Sequence, residues 1–234
     1  MSLVTANDLE KTYQTGEVSV HAIRGVNFTI EPASFVSFVG PSGSGKSTLL
    51  NMIGCLDPPT KGSLQVAGQD IARLDRKQAA RFRGEHIGFV FQDFNLIPVL
   101  TVFENVEYPL LMVQNWPVQE RKKRVNALLD AVGMGDQGGK YPRQISGGQK
   151  QRVAVARALV TNAKLVLADE PTANLDGETA NRIINLMKKM RDEFDTTFVF
   201  STHDPKVMGN AEIVFTLEDG KLLNRQVHSG GAHA

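Results

Sequence analysis

The sequence of 234 residues is poor in the features that mark secreted and membrane-spanning chains. It has a single cysteine, Cys55, so an intramolecular disulfide cannot form, which fits a reducing compartment. The most apolar stretch, residues 96–113, contains Glu104, Asn105 and Glu107, so we expect no membrane span. The first residues show no basic start followed by an apolar run, so no secretory signal is visible. If the chain works at a membrane, we expect another chain to hold it there.

A strong excess of charge of one sign is also missing. Lysine and arginine number 26 and aspartate and glutamate 25, a net charge of +1. This balance gives no support to a large nucleic-acid-binding surface, and we expect no nucleic-acid partner. The basic clusters at residues 73–83 and 121–124 are interpreted as solvated helix faces. A hydrophobic share of 41% is enough for a packed core, in one large domain or two small ones.

The order of apolar runs and helical patterns is typical of an α/β domain with a parallel core sheet. Strands of this sheet are predicted at residues 34–39, 87–91, 165–168 and 197–200. A small antiparallel subdomain is predicted beside it, with strands at residues 18–23, 25–30 and 64–66 separated by glycine-containing turns.

Apolar spacing predicts two amphipathic helices. Their stripes are Val125, Leu128, Leu129 and Val132 in one helix, and Ile183, Met187, Met190 and Phe194 in the other. From about residue 93 to residue 149 the pattern is helical without a convincing strand, so we predict an inserted helical lobe. The domain is expected to span residues 1–223, followed by a short, polar and mobile tail at residues 224–234.

A glycine-rich turn follows the strand predicted at residues 34–39. Residues 40–47 read GPSGSGKS, a full match to G-x-x-x-x-G-K-[ST], and a helix is predicted over residues 46–53. Glycines let several backbone N–H groups converge there, and the start of the helix adds positive potential. The pattern predicts a phosphate cradle in which Lys46 reaches the β- and γ-phosphates and the Ser47 hydroxyl binds Mg²⁺. The residues assigned to the cradle are Gly40, Pro41, Ser42, Gly43, Ser44, Gly45, Lys46, Ser47 and Thr48.

A second polar element follows the apolar strand predicted at residues 165–168, where the sequence continues with Asp169 and Glu170. Ligands bind at the carboxyl ends of strands in open α/β sheets. We therefore expect Asp169 to hold Mg²⁺, directly or through water, and Glu170 to accept a proton from an attacking water.

A third element separates this chain from most proteins that have a phosphate cradle. Residues 146–149, Ser146, Gly147, Gly148 and Gln149, open a further helix, whose Val153, Ala156 and Val160 would be buried. Such a helix start is a second anion-binding position. Two phosphate-binding helix starts in one chain are explained most economically if two copies share two nucleotides, one copy offering the cradle and the other Ser146 and Gly148.

Together these motifs resemble the nucleotide-binding subunit of ABC transporters, over about residues 3–223. Residues 40–47 are similar to the Walker A motif of that family, residues 165–170 to Walker B and residues 146–149 to the signature motif. The further matches, in chain order, are Tyr13, the Q-loop Gln92, the D-loop at Asn174, Leu175 and Asp176, and the switch His203. Residues 51–62 and 87–107 resemble the ATPases of macrolide-export and lipoprotein-release systems, to which a cell-division branch is related.

The resemblance implies roles for these residues. Tyr13 would stack on adenine, and Gln92 would bind Mg²⁺ and link the catalytic site to the helical lobe. His203 would contact the γ-phosphate beside the catalytic Glu170. Residues 146–149 and Asp176 would complete the nucleotide site of the second copy. The implied fold is that of a P-loop NTPase.

The resemblance also implies ligands and partners. ATP and Mg²⁺ would be bound, and integral membrane permease chains would contact the helical lobe at residues 93–110, which include the apolar Phe94, Leu96, Ile97, Val99 and Leu100. The chain would be a peripheral subunit on the cytoplasmic face of the inner membrane. There it would drive the export or extraction of a hydrophobic or lipidated substrate.

Several alternatives stay open at this stage. The same ATPase could act as a mechanical signaller to a membrane partner without moving a substrate, as in cell division. A DNA-repair head is disfavoured because residues 47–146 show no sustained heptads. A small-molecule kinase would leave residues 146–149 and His203 unexplained. Stacking on Tyr13 does not choose the base, and no Asn-Lys-x-Asp guanine motif occurs, so ATP is favoured over GTP mainly by the resemblance.

Overall fold

The computed structural model describes residues 2–16, 18–114 and 116–228. In this part of the chain the strands are β1 (Val4–Thr15), β2 (Val18–Ile30), β3 (Phe35–Val39), β4 (Lys61–Val66), β5 (Gln69–Asp70), β6 (Ile87–Phe91), β7 (Leu165–Asp169), β8 (Thr197–Thr202), β9 (Ile213–Glu218) and β10 (Lys221–Val227). The helices are α1 (Lys46–Ile53), α2 (Arg76–His86), α3 (Val102–Pro109), α4 (Val118–Ala131), α5 (Gly147–Leu159), α6 (Gly177–Phe194) and α7 (Pro205–Met208). A π-helical turn, Leu110–Gln114, continues α3.

The central sheet has six strands in the order β10-β9-β3-β8-β7-β6. All neighbouring pairs are parallel except β9 with β10. Strands β3 and β8 contain only buried residues, which is expected where helices or a second sheet cover both faces of a parallel sheet. The parallel core predicted from apolar runs at β3, β6, β7 and β8 is confirmed.

The second sheet is antiparallel in the order β2-β1-β4-β5, as the sequence predicted. One detail was wrong: residues 18–23 and 25–30 are not two strands, since β2 continues from Val18 to Ile30. Gly25 adopts φ +68° inside this strand, where the pairing with β1 shifts register between Leu9 and Lys11. The glycine therefore accommodates a bulge and not a turn.

The core lies on both faces of the six-stranded sheet. Side chains alternate along β3, so Phe35 joins the cluster under α5, α6 and the lobe, while Phe38 joins the cluster under α1 and the antiparallel sheet. On this second face Phe38 stacks on Phe215, with ring centroids 5.2 Å apart, and meets the edge of Phe28. Aromatic packing therefore fixes the antiparallel sheet to the face of the central sheet that α1 also covers.

The helical predictions are confirmed in their packing. The apolar stripes of α4 and α6 are buried, apart from Phe194, which is partly buried against the same core. Val153, Ala156 and Val160 are buried around α5. Between β6 and β7 the described residues form helices and turns but no strand. No helix in the described ranges is long and apolar enough to cross a membrane.

The tail prediction was wrong for residues 224–227. These residues belong to β10 and pair with β9, with Asn224 opposite Thr216 and Val227 opposite Ile213. Pairing with β9 satisfies the backbone groups on the inner side of β10, the edge strand, so these residues belong to the sheet in spite of their polar composition. Residues 229–234 of the predicted tail lie outside the described residues.

Candidate functional site

The strand order brings the predicted site residues to one edge of the sheet. Strands β3, β8, β7 and β6 are adjacent and parallel, so the segments that follow them start side by side. Gly40 follows β3, His203 follows β8, Glu170 follows β7 and Gln92 follows β6. These four residues are therefore close together because of the strand order, and the strand order cannot be derived from any short stretch of the sequence.

The phosphate cradle is a strand–loop–helix unit, as predicted. Gly45 precedes α1 at φ +104°, and a Cβ atom there would lie 2.6 Å from the carbonyl oxygen of Ala22, so only glycine fits. No side chain caps the start of α1, so its first N–H groups are available to an anion. The Lys46 ammonium donates to the carbonyl oxygens of Gly40 and Pro41, at 2.9 Å each.

Two further features of the cradle fit a polyanionic ligand. The Ser44 hydroxyl oxygen is buried and has no hydrogen-bond partner in the part of the chain that the structure describes. The Lys46 side chain is buried, and its nearest carboxylate oxygen, Oε1 of Glu170, is 4.0 Å away. A buried hydroxyl is normally hydrogen-bonded. The hydrogen bonds of the Lys46 ammonium go to neutral carbonyl oxygens, so both groups are suited to phosphate oxygens.

The two carboxylates at the end of β7 have different surroundings. Asp169 Oδ1 accepts hydrogen bonds from the Ser47 hydroxyl at 3.0 Å and from the Ser201 hydroxyl at 2.6 Å. Glu170 Oε1 is 3.0 Å from Nδ1 of His203, and its backbone has φ +45°. A non-glycine residue in this region costs on the order of 1 kcal/mol and is typical of functional sites. Ser201 also accepts a hydrogen bond from the Glu170 N–H at 2.9 Å, which fixes this turn.

The oxygen and amide groups at this edge fit a magnesium ion bound together with phosphates. The Ser47 hydroxyl and Asp169 carboxylate are in contact, and the Gln92 residue lines the same cleft. Among the described residues no cluster of three His, Cys, Asp or Glu side chains could hold a metal. Mg²⁺ typically takes one or two protein oxygens and completes its shell with substrate phosphates and water, which matches this donor set.

The opposite wall of the cleft belongs to the antiparallel sheet. Tyr13 is 36% exposed, and its hydroxyl donates to Asp57 Oδ2 at 2.7 Å. The Lys11 ammonium lies 4.9 Å from the centre of the Tyr13 ring. Burial, followed by the hydrogen bond to Asp57, raises the pKa of Tyr13 above its ordinary value. The same hydrogen bond restrains the ring at this wall.

The cleft measures about 840 Å³ and unites most of the predicted cradle and catalytic residues. Its lining includes Tyr13, Lys46, Ser47, Thr48, Gln92, Glu170 and His203 with loop residues 41–43 and 45. Gly40, Ser44 and Asp169 support it through the contacts described above. This volume is sufficient for a nucleotide-sized ligand.

Several residues of the cleft were missed by sequence reasoning. Val20, His21 and Arg24 come from β2, and Asp219 and Gly220 from the turn between β9 and β10. The Gly220 N–H donates to the Ser44 carbonyl at 3.0 Å, and the Arg24 N–H donates to the Gly220 carbonyl at 2.8 Å. Strand β2 belongs to this wall because Val20 pairs with Tyr13 on the neighbouring strand, and this pairing exists only in the folded sheet.

The signature residues and Asp176 are not in the cleft. Ser146 is exposed and caps α5, where its hydroxyl accepts from the Gln149 N–H at 3.3 Å and Gln149 Oε1 accepts from the Ser146 N–H at 2.9 Å. Asp176 caps α6 and accepts from the Thr179 N–H at 3.0 Å, which holds its pKa below the ordinary range.

The starts of α5 and α6 lie against each other. A Cβ atom on Gly148 would come within 2.6 Å of the Thr179 methyl group, and one on Gly147 within 3.5 Å of Leu175. Residues 146–149 and Asp176 therefore share one surface, and this surface is separate from the cleft of the same chain.

Fold and cleft define a P-loop nucleotide hydrolase. The sequence model of the ABC transporter family matches residues 23–173. An uncharacterized ABC transporter ATP-binding protein of Thermotoga maritima is 45% identical over 92% of this chain and 91% of its own length. The chain belongs to the ABC transporter family and is an ATP-hydrolysing cassette, so the resemblance, the fold class and the activity expected from the sequence are confirmed.

Two further relatives differ in the share of their own length that aligns with this chain. The macrolide export ATP-binding/permease protein MacB of Shigella flexneri is 42% identical over 94% of this chain, and the chain spans only 34% of its length. The ATP-binding cassette MJ0796 of Methanocaldococcus jannaschii, in a dimeric post-hydrolysis state bound to ADP and Pi, superposes with a TM-score of 0.88. It is 43% identical, and the alignment covers 97% of this chain and 99% of that one.

Proposed function

We propose that this chain is the ATPase subunit of an ABC exporter, in which two copies close around two Mg-ATP molecules and drive a membrane partner. The observation that carries the proposal is the division of the site. The cleft holds the cradle, the carboxylates and His203, while the anion-binding start of α5 is exposed on another surface. A second copy can place its Ser146 opposite the cradle, and the dimeric state of the Methanocaldococcus jannaschii cassette supports this arrangement.

In this mechanism the cradle exchanges internal bonds for phosphate bonds. Lys46 turns from the carbonyl oxygens of Gly40 and Pro41 to the β- and γ-phosphate oxygens, while the N–H groups at the start of α1 bind the same chain of phosphates. The exchange costs little because each internal bond of the ammonium is replaced by a bond to a stronger, charged acceptor.

Hydrolysis then depends on the residues that follow β7 and β8. The Glu170 carboxylate takes the proton of the attacking water, and His203, 3.0 Å from it, contacts the γ-phosphate and holds the carboxylate in place. Ser47, Asp169 and Gln92 would hold Mg²⁺. When bound, this ion neutralises charge on the β- and γ-phosphate oxygens.

The base of the nucleotide is bound on the Tyr13 side of the cleft. Tyr13→Ala is expected to raise KM for ATP by about 5- to 150-fold with little change in kcat, because base–aromatic stacking contributes about 1–3 kcal/mol. Tyr13→Phe keeps the ring but loses the hydrogen bond to Asp57, so its KM should stay near that of the wild type. Steady-state kinetics with ATP and GTP measure both effects. A Tyr13→Ala variant with unchanged KM would remove the stacking role.

The helical lobe supplies the surface for the membrane partner. Val99 is 79% exposed, and the same stretch of chain presents Tyr108, Leu111 and Met112 to solvent. Phe94, Leu96, Ile97 and Leu100 are partly buried, so Val99 is the most accessible member of the predicted group. The name of MacB describes an ATP-binding and a permease part in one protein, which supports a permease partner for this chain. A permease partner in turn supports a position at the cytoplasmic face of the inner membrane.

The partner is tested by isolating the tagged chain with solubilised membranes from its source cell. We expect a membrane-spanning permease to co-purify and to stimulate ATP hydrolysis, and Val99→Asp to abolish both effects while basal hydrolysis persists. Val227→Asp is the matched control, since Val227 is the same residue type, is 63% exposed and lies on β10, at the other edge of the sheet from β6. Equal loss in both variants would contradict a role for the lobe surface.

Export is separated from signalling by following the substrate. A reconstituted complex that releases or moves a hydrophobic or lipidated molecule in an ATP-dependent manner supports export. A complex that changes only the activity of an enzyme outside the membrane, with no substrate moved, would replace export by mechanical signalling.

A further inference from the structure

The loop that carries Gln92 has an unusual backbone. It leaves β6 and places two consecutive residues, Phe94 at φ +61° and Asn95 at φ +46°, in the left-handed region. Each such residue costs on the order of 1 kcal/mol and persists only where surrounding contacts determine it. Contacts from outside the loop must therefore hold it in this form.

One set of contacts comes from the segment between β7 and α6. The Asn174 side-chain amide donates to the Gln92 carbonyl oxygen at 3.2 Å and to Asp93 Oδ1 at 2.9 Å. The same segment is tied to the catalytic carboxylate residue, because the Ala173 N–H donates to the Glu170 carbonyl oxygen at 3.2 Å. Asn174 thus connects the Gln92 loop to the turn that contains Glu170.

A second set of contacts comes from α5. The Arg157 guanidinium donates to the carbonyl oxygens of both left-handed residues, from Nη2 to Phe94 at 2.8 Å and from Nη1 to Asn95 at 2.6 Å. No carboxylate of the described residues lies within 4.0 Å of Arg157. Burial of the Arg157 guanidinium lowers its pKa from the ordinary value. Among the described residues, the hydrogen-bond acceptors of this desolvated cation are the two carbonyl oxygens. The guanidinium and the two left-handed residues therefore hold each other in place.

These contacts place the loop between two parts of the nucleotide site. Helix α5, which carries Arg157, begins at Gly147 and is capped by Ser146, and Asn174 lies between Glu170 and Asp176. We propose that Arg157 and Asn174 are positioning residues. They hold Gln92 at a fixed position relative to α5, the helix that starts with the signature residues, and relative to Glu170. The proposal rests on the proposed function, in which Gln92 helps to hold Mg²⁺ and links the site to the lobe.

The chain contains a matched control for Arg157. Arg124 on α4 also has its pKa lowered by burial, and it also donates to two backbone carbonyl oxygens, those of Leu159 and Val160. These carbonyls lie at the end of α5 and not in the Gln92 loop. Arg124→Gln and Arg157→Gln therefore remove the same kind of contact, and only Arg157→Gln removes it from the loop.

The first readout is amide hydrogen exchange over residues 92–97 in the nucleotide-free protein. We expect Arg157→Gln to accelerate exchange there by about tenfold or more, the effect of losing a hydrogen bond to a charged group. Asn174→Ala should accelerate it in the same segment, Arg157→Lys should restore part of the protection, and Arg124→Gln should leave this segment as in the wild type. Unchanged exchange in Arg157→Gln would overturn the proposal.

The second readout is kinetic. Misplacement of a positioned group by about 1 Å costs up to about 100-fold in rate, so kcat of Arg157→Gln should fall by about 10- to 100-fold. The half-saturating Mg²⁺ concentration should rise, whereas the dissociation constant for ATP measured without Mg²⁺ should stay constant. Arg124→Gln should lower the melting temperature only. Equal losses of kcat per folded molecule in both variants would make Arg157 a structural residue and overturn the proposal.

The wild-type protein is measured in the same series. Absence of ATP hydrolysis or of Mg²⁺ dependence in the wild type would count against the proposed function. A normal wild type with unaffected exchange in the variants would count against the positioning role alone.

Discussion

Glu170→Gln is expected to slow ATP hydrolysis by about 10²–10⁴-fold, the usual contribution of a general base. Glutamine has nearly the same shape and can still hydrogen-bond to Nδ1 of His203, so the loop and the cradle should be preserved. It cannot take a proton from water. The loss should therefore appear in kcat, measured as phosphate release, while ATP binding is retained.

The same substitution should change the oligomeric state. Because ATP is bound but not hydrolysed, the closed dimer should accumulate with Mg-ATP and be detected by light scattering. Glu193→Gln is the matched control, since Glu193 is an exposed glutamate at the end of α6 opposite to Asp176. Near-normal turnover of Glu170→Gln, tested also with its membrane partner, would reject Glu170 as the base.

Ser146→Arg should abolish ATP-induced dimerisation. The side chain at this position is exposed and caps α5, so arginine can be accommodated in the monomer but would intrude between the copies at the anion-binding helix start. Asn224→Arg, which adds the same charge to the exposed face of β10, should dimerise normally. Light scattering of the variants with Mg-ATP, in the Glu170→Gln background, measures this effect.

Complementation extends the test. Lys46→Ala disables the cradle, and Ser146→Arg disables the surface that is offered to the other copy. A mixture of the two inactive variants should regain part of the hydrolysis, because each heterodimer contains one site in which both halves are intact. A Ser146→Arg protein that still dimerises with Mg-ATP would contradict the shared site.

The sequence predicted those parts of the site whose functional residues lie in one short segment with a recognisable local structure. Residues 40–47 connect β3 to α1, and their glycines, lysine and serine are close together in the sequence. The cradle is therefore predictable without the rest of the fold. The same holds for Asp169 and Glu170 after β7. Their proximity to Gln92 and His203 required the order of four parallel strands, which the family resemblance supplied.

The parts that were not predicted depend on contacts between distant segments. Gly25 looked like a turn because a bulge in a long strand has the same local composition. The β9–β10 hairpin was missed, although its Gly220 N–H supports the cradle at Ser44. The apolar run of β9 followed by Asp219-Gly220, both at positive φ, is the local signal that could have found it. Arg157 was hidden because its partners are 62 and 63 positions away.

The measurement that tests the central claim most directly is a crystal structure of the Glu170→Gln protein grown with Mg-ATP. The account predicts two chains facing each other, with the Ser146 hydroxyl of each about 3 Å from a γ-phosphate oxygen held by the opposite cradle. A structure in which ATP fills the cleft while Ser146 faces bulk water, with no protein opposite the triphosphate, would contradict it.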